Sequence, residues 1–503
     1  MIMLNIFNDL TVKLGVLVLC TVGLSSCLDL DPVVNDKISP DNFFKNESDA
    51  KAAVTAMYSP FVADWGGVYC ASVGSYLNLS NLCTDEMGLQ RNDLEVVDRF
   101  LWTATTGDVT GWYTNWVQQV SRATILLTNL ENTPMSEEKK AQFMAEVKCA
   151  RGEFLFYLYD FYGTAAVCLD PEILNNPEVD VILERYPKEE FVALIEKDLK
   201  EAAEVLPVTY ESADWGRFSK GAAYAILVKL YMQEKRWKEA ETVCRQIQEL
   251  GCYGLQANYN DVFSVATEVN NEVIWAVPCL SEGGSGNMWL THIVPPNYPL
   301  KNEKIQRWYV YNTPWDFYDR LFVNKQDKRL GLLIGEFKYV PEGQTDSILA
   351  TRENYEHLKK GALPFKYPED PSQTGEYSGN DMVIYRYADV LLELAEAINE
   401  QAGPTKEAIS LVESIRVRAG IPNTIPAAAT ASKDAFRSFI LDERGRELFC
   451  EGHRRRDLIR HGKLISTAHE QGWTSAQPYM ELFPIPQNVI DESQGKIKQN
   501  PGY

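Results

Sequence analysis

The chain has 503 residues, 45% of them hydrophobic and 24% charged, an ordinary globular composition with ample length for a large core. Its formal net charge of −21 excludes nucleic acid and an anionic bilayer as main partners, because phosphate recognition needs a basic face. The ten cysteines include no CxxC pair and are too sparse for a disulfide scaffold, and the five histidines form no HxxxH or HExxH pattern, so a zinc site is not expected.

In chain order, Leu14–Leu24 (LGVLVLCTVGL) is an apolar run of eleven residues. That is well short of the ~20 needed to cross a bilayer and matches the apolar segment of a signal peptide. Leu24-Ser25-Ser26-Cys27 follows and resembles a bacterial lipobox. Residues 1–26 are therefore expected to be a lipoprotein signal peptide, with Cys27 as the lipid attachment site. Several acyl chains, each buried CH₂ worth ~0.8 kcal/mol, make such an anchor stable.

Residues 32–48 read as a polar leader. From Ser48, Ala52, Val54, Met57, Tyr58 and Phe61 give a helical apolar face, which Gly66 and Gly67 break, leaving Trp65 on a loop. Trp112, Trp116, Val120, Thr124 and Leu127 follow helical spacing and read as core. A long helix is predicted from Ser136 to about Tyr162, striped by Phe143, Val147, Ala150, Phe154, Leu158 and Phe161, and another over about 188–206. Ser219 then caps a helix–turn–helix unit whose small alanines and aromatic turn resemble a tetratricopeptide hairpin. A similar pair recurs at Tyr387–Glu400 and Thr405–Ala419.

Between these hairpins, residues 251–385 change character. Glu272–Val277 reads as a strand, and glycine, proline and aromatic residues crowd the rest. An insertion so long and so aromatic is functional rather than disordered. Ser281–Asn287 is glycine-rich but lacks the Lys-Ser/Thr of a phosphate loop. The predicted fold is mainly α: tetratricopeptide-like hairpins form a scaffold over about 48–250 and 386–463. A loop-rich insertion spans about 251–385, few strands occur, and an irregular tail covers 464–503.

The most heavily charged stretch is Ile440–Lys463. Ser432 is placed to cap its helix, and Phe436, Ile440, Leu448 and Phe449 supply an apolar stripe. Glu443, Arg444, Glu447 and Glu451, followed by His453, Arg454, Arg455, Arg456 and Asp457, sit at spacings that allow a ladder of Arg–carboxylate pairs. An active site or anion clamp is one reading. A partly buried ion-pair network that fixes the docking of the helix is the favoured one.

ERGRELFCEGHRRRDLIRHGK, with LFPIPQNVID and the terminal QNPGY after it, resembles the C-terminal signature of the SusD/RagB family of surface lipoproteins. ARGEFLFYLYDFYG and Phe317-Tyr318-Asp319 with Asp327 and Arg329 resemble further family elements, the latter structural. Asp29 and Asp31 resemble the acidic spacer of members displayed on the cell surface.

The resemblance implies one SusD-like domain over 27–503, lipid-anchored in the outer membrane and exposed at the cell surface. It implies non-catalytic capture of an oligosaccharide and delivery to a SusC-like TonB-dependent transporter. The rival readings are a RagB-like peptide binder and a periplasm-facing helical-repeat adaptor. Sugar rings lie flat on indole and phenol rings, so the setting of each tryptophan bears on whether it can meet a ligand. Trp112, Trp116, Trp237 and Trp275 lie on periodic elements and read as core. Trp65, Trp289, Trp308, Tyr309 and Trp315 lie in loops and are the candidate ligand contacts, with Trp315 the one leaning to packing. No catalytic residue, cofactor or metal ligand is predicted. A structural Ca²⁺ has no EF-hand motif behind it.

Overall fold

Helix starts are set by side-chain caps that the sequence supplies. Ser136 accepts from the Lys139 amide, Ser219 from Ala222, Thr405 from Ala408 and Ser432 from Ala435, each satisfying an amide that the helix leaves unpaired. The computed structural model describes residues 43–90, 95–176, 178–179, 181–282, 285–421 and 425–503. The signal segment, Cys27 and the acidic spacer lie outside them.

Asn46–Tyr503 forms one unit. Its principal helices are α1 (Glu47–Ala56), α2 (Tyr76–Leu82), α3 (Gly107–Asn132), α4 (Glu137–Tyr162), α5 (Lys188–Val205), α6 (Lys220–Gln233), α7 (Trp237–Glu249), α8 (Trp289–Ile293), α9 (Trp315–Leu321), α10 (Tyr387–Ala402), α11 (Lys406–Arg418), α12 (Lys433–Leu448) and α13 (Arg454–Arg460). Helix α3 packs on α4, α4 on α5, α5 on α6, α6 on α7 and α7 on α10, which in turn carries α11 and α12. The two predicted hairpins, α6–α7 and α10–α11, are thereby stacked on each other. The first helix is shorter than its apolar stripe: it stops at Ala56, and Ser59–Phe61, with Pro60 lacking an amide proton, continues as a 3₁₀ turn.

The insertion carries most of the strands. β1 (Gly88–Leu89), β3 (Tyr311–Pro314) and β6 (Gly361–Ala362) form one antiparallel sheet, with Leu89 opposite Tyr311 and Thr313 opposite Ala362. β2 (Val273–Val277) pairs with β7 (Met382–Arg386) and β4 (Phe337–Tyr339) with β5 (Ile348–Ala350). The β2–β7 ribbon is buried on both faces, and β7 runs directly into α10, so the insertion is bolted to the scaffold at its exit.

The charged stretch lies inside the protein. Arg386, at the end of β7, is fully buried and all five of its N–H donors are used: Nε and Nη2 on Glu451, Nη1 on Glu272 and Glu447, and Nη2 again on the Glu447 carbonyl. Glu447 also receives Arg418 and Arg329, and Arg329 chelates Asp327 at 2.9 and 2.7 Å. Farther along, Arg454 grips Asp85 through two bonds of 2.7 and 2.8 Å, Arg455 reaches Asp160 on α4, and Arg460 reaches Glu396 on α10. The network reading of this stretch therefore holds: its pairs join the last helices to α4, α10, β7 and the insertion.

The tail packs back on the scaffold. The Phe483 amide donates to the Phe161 carbonyl, Asn500 Nδ2 donates to the Tyr162 and Phe483 carbonyls, and Trp102 Nε1 donates to the Tyr503 hydroxyl. The eight described cysteines are free thiols, so neither Cys70 and Cys83 nor Cys244 and Cys252 are bridged.

Candidate functional site

Two loop tryptophans from opposite halves of the chain meet. The Trp65 and Trp308 rings are stacked, with centroids 5.9 Å apart and planes 29° off parallel, and they remain 50% and 37% exposed. His292, at the end of α8, sits edge-on to both, at 6.0 Å from Trp65 and 4.8 Å from Trp308. The rings border a cavity of about 610 Å³ that is also lined by the first turns of α3, with Asp108, Gly111, Trp112 and Asn115.

Backbone geometry holds each ring in place. Trp65 precedes a turn in which Gly66 has φ of +79°, a region L side chains avoid. A Cβ on Gly67 would lie 2.1 Å from the Val62 carbonyl oxygen, so only glycine fits there. Trp308 is fixed by its amide bond to the Thr291 carbonyl at 2.8 Å and Val310 by its bond to His292. Between them Tyr309 adopts φ of 49°, a left-handed conformation that costs a non-glycine residue about 1–3 kcal/mol.

The polar groups of the cavity are few. His292 donates from Nδ1 to the Met288 carbonyl, and burial pushes its ring down to about 4, so it is neutral near pH 7 with Nε2 as an acceptor. Tyr311 is spent internally: its hydroxyl donates to the Ala71 carbonyl and accepts from Asn78. Asn115 Oδ1 is enclosed without a hydrogen-bond partner among the described residues. Trp112, which lines the cavity, donates its indole proton to the Gly74 carbonyl and stacks on Trp116 at 5.5 Å. The arrangement offers flat apolar faces beside one unpaired acceptor, Nε2 of His292, a setting suited to a polyhydroxylated ring.

Three of the five candidate aromatics are elsewhere. Trp289 is 0% exposed, with Nε1 donating to the Pro364 carbonyl at 2.9 Å and its ring stacked on Tyr311, so it is core and supports the cavity from behind. Tyr309 is turned away by its left-handed backbone and buried against His357 at 4.7 Å. Trp315 is covered by the Arg352 guanidinium at 3.7 Å, and its indole donates to the Leu358 carbonyl. Trp112, read as core, instead lines the cavity. Its signal was present in the sequence: Gly107 and Gly111, four residues apart, strip one face of α3 of side chains beside Trp112. His292 carried no signal. Among the described residues, no group of three His, Cys, Asp or Glu is placed to hold a metal ion.

Family models match two separate stretches of the chain. The model of the SusD family matches residues 335–503, and the model described as starch-binding associating with outer membrane matches residues 42–232. A SusD-like protein from Formosa agariphila is 27% identical, over 89% of this chain and 90% of its own length. The starch-binding protein SusD of Bacteroides thetaiotaomicron is 29% identical over a shorter span, 26% of this chain and 23% of that protein. The crystal structure of a SusD homolog from Bacteroides thetaiotaomicron superposes with a TM-score of 0.78 at 24% identity, covering 92% of this chain and 98% of that one. A laminarin-binding SusD-like protein gives 0.74 at 23% identity, covering 91% and 100%. With family models matching at 42–232 and 335–503 and a relative aligned over nine-tenths of its length, the chain belongs to the SusD-like family.

Proposed function

We propose that this protein captures an oligosaccharide between the Trp65–Trp308 pair and the α3 wall and passes it to a SusC-like TonB-dependent transporter. The observation that carries the reading is the exposed, stacked indole pair bordering the cavity. Each exposed indole can cover one face of a sugar ring, and neither indole N–H has a partner among the described residues. The family model that names the outer membrane, together with the lipobox ending at Cys27, supports a lipid-anchored mature chain starting at that cysteine and displayed at the cell surface. Among the described residues no helix is long and apolar enough to cross a membrane.

Affinity electrophoresis and calorimetry against a glycan panel and a peptide mixture test the ligand class. A glycan should bind, and the double variant Trp65→Ala/Trp308→Ala should abolish that binding while the melting temperature holds. Binding of peptides alone would end the glycan reading and favour a peptide-capturing protein of the same uptake machinery. Protease shaving of intact cells tests display: a chain that survives while surface lipoproteins are cut is facing the periplasm.

A further inference from the structure

The cavity contains one charged residue, and it is an anion. Of the residues that line it, Asp108 alone carries a formal charge, and no lysine or arginine joins it. Asp108 is exposed and takes no part in an ion pair among the described residues, so its charge faces the solvent of the cavity. Its position is the first turn of α3, where the partial positive charge of the helix end would otherwise attract an anion. That end is already answered: the carboxylate supplies the counter-charge, and the Val109 and Thr110 amides bond the Thr106 carbonyl.

Asp108 packs against Gly74 on one side and is open on the side of Gly107 and Gly111. A Cβ built on Gly107 or on Gly111 meets no atom within 4 Å, so the floor beside the carboxylate is bare backbone. Beside the carboxylate oxygens of Asp108, the lining offers the acceptor Nε2 of neutral His292 and the uncharged indole N–H donors of Trp65 and Trp308. A hydroxyl group can donate to the acceptors and accept from the donors. A carboxylate or sulfate can only accept, brings a like charge beside Asp108, and finds no cation to pair with.

We infer that the cavity selects uncharged, hydroxyl-rich glycans over uronate-bearing and sulfated ones, with Asp108 as the specificity-determining residue. This rests on the glycan reading above and adds the charge class of the ligand. A like charge held near ~4 Å in a wet cavity weakens binding by about tenfold.

The test is calorimetry on the mature full-length chain with neutral probes (starch, laminarin, barley β-glucan, xylan and yeast mannan) and acidic ones (polygalacturonate, alginate and chondroitin sulfate). At least one neutral probe should bind and the acidic probes should not. Asp108→Asn should narrow that gap by about tenfold, because it removes the repulsion and bares the helix end. Should that variant fold poorly, the parent protein gives the same information. A carboxymethylated form of the bound neutral glycan should bind more weakly than its parent, and the difference should shrink as salt is raised. Tight binding of an acidic glycan that is lost in Trp65→Ala/Trp308→Ala would overturn the charge selection and leave the glycan reading standing. Binding of no glycan at all would remove both. An unchanged preference in Asp108→Asn would overturn the role given to that residue.

Discussion

Replacing Glu447 by alanine should destabilise the protein without touching the ligand. Its side chain is fully buried and accepts from three guanidiniums: Arg386 at 2.6 Å, Arg329 at 3.1 Å and Arg418. Burial by itself pushes the carboxyl up, but Arg418, Arg386 and Arg329 together outweigh it and hold Glu447 well below the usual carboxylate range. Removing one member of a buried ion pair costs about 3–5 kcal/mol, because the remaining charge is left desolvated. Three such bonds would cost more, yet each arginine keeps another carboxylate: Glu272 and Glu451 for Arg386, Asp327 and Glu443 for Arg329, and Glu272 for Arg418. A loss of about 4 kcal/mol is the expected result. Unfolding entropy summed over the Asn46–Tyr503 unit is on the order of 1 kcal/mol/K, so the melting temperature should fall by about 4 °C. Glu447→Gln keeps the shape and one acceptor oxygen and should lose about half as much. The acid dependence follows from the sign of the shift. A carboxyl whose folded value is depressed gives its stability above the unfolded range near ~4.3, and that stability is lost as pH falls through the folded value. Neighbouring Glu443, held down to about 2 against burial by Arg446, Arg329 and Arg416, behaves alike. The penalty of Glu447→Ala should therefore be full at pH 7 and shrink below about pH 4. Scanning calorimetry and calorimetric titration on the same samples check this. A variant melting within about 1 °C of the parent, or one that melts normally yet binds nothing, refutes the reasoning.

Trp289→Ala should act on stability first: it empties a fully buried site and should cost about 3–5 kcal/mol, read by urea denaturation. Gly67→Ala should weaken glycan binding, because its Cβ would lie 2.1 Å from the Val62 carbonyl and the turn carrying Trp65 must shift; titration of the folded variant checks it. Glu153 gives a pH test of opposite sign. Burial raises its carboxyl to about 7, against hydrogen bonds from Tyr157 and Tyr385, so the folded protein is penalised as pH rises from the unfolded carboxylate range through 7. Glu153→Gln should therefore gain melting temperature relative to the parent between pH 5 and pH 8, and a pH-independent difference would count against it.

How much of this was legible in the sequence depended on whether the signal was local. Helix α4 could be read to within a residue, since its cap at Ser136 and its apolar stripe lie within one segment. The burial of Glu443 and Glu447 was legible as well, because charge at helical spacing on an apolar stripe has few other uses. The cavity wall is harder to read. Trp65 and Trp308 stand out as loop aromatics, but their stacking joins loops from opposite halves of the chain. Trp289 sits in the same kind of glycine-rich loop and is nonetheless core, because it opens α8, whose five residues are all buried. Tyr309 was misplaced by one backbone angle, which no residue type announces. The helical period of Trp112 points to the core, whereas its bare glycine neighbours point to the cavity it lines.

The way the tail closes the structure bears on when the protein can finish folding. Trp102 needs the hydroxyl of Tyr503, Asp85 needs Arg454, and the end of α4 needs Phe483 and Asn500. The first third of the chain therefore cannot reach its final form while the last third is still being made. Contacts so distant along the chain slow the closing step and leave aromatic surface on α3 and α4 uncovered in the meantime. For a chain proposed to cross a membrane as an extended polypeptide, that delay is useful: it stays threadable until its last residues arrive, and its need for escort is greatest just before they do.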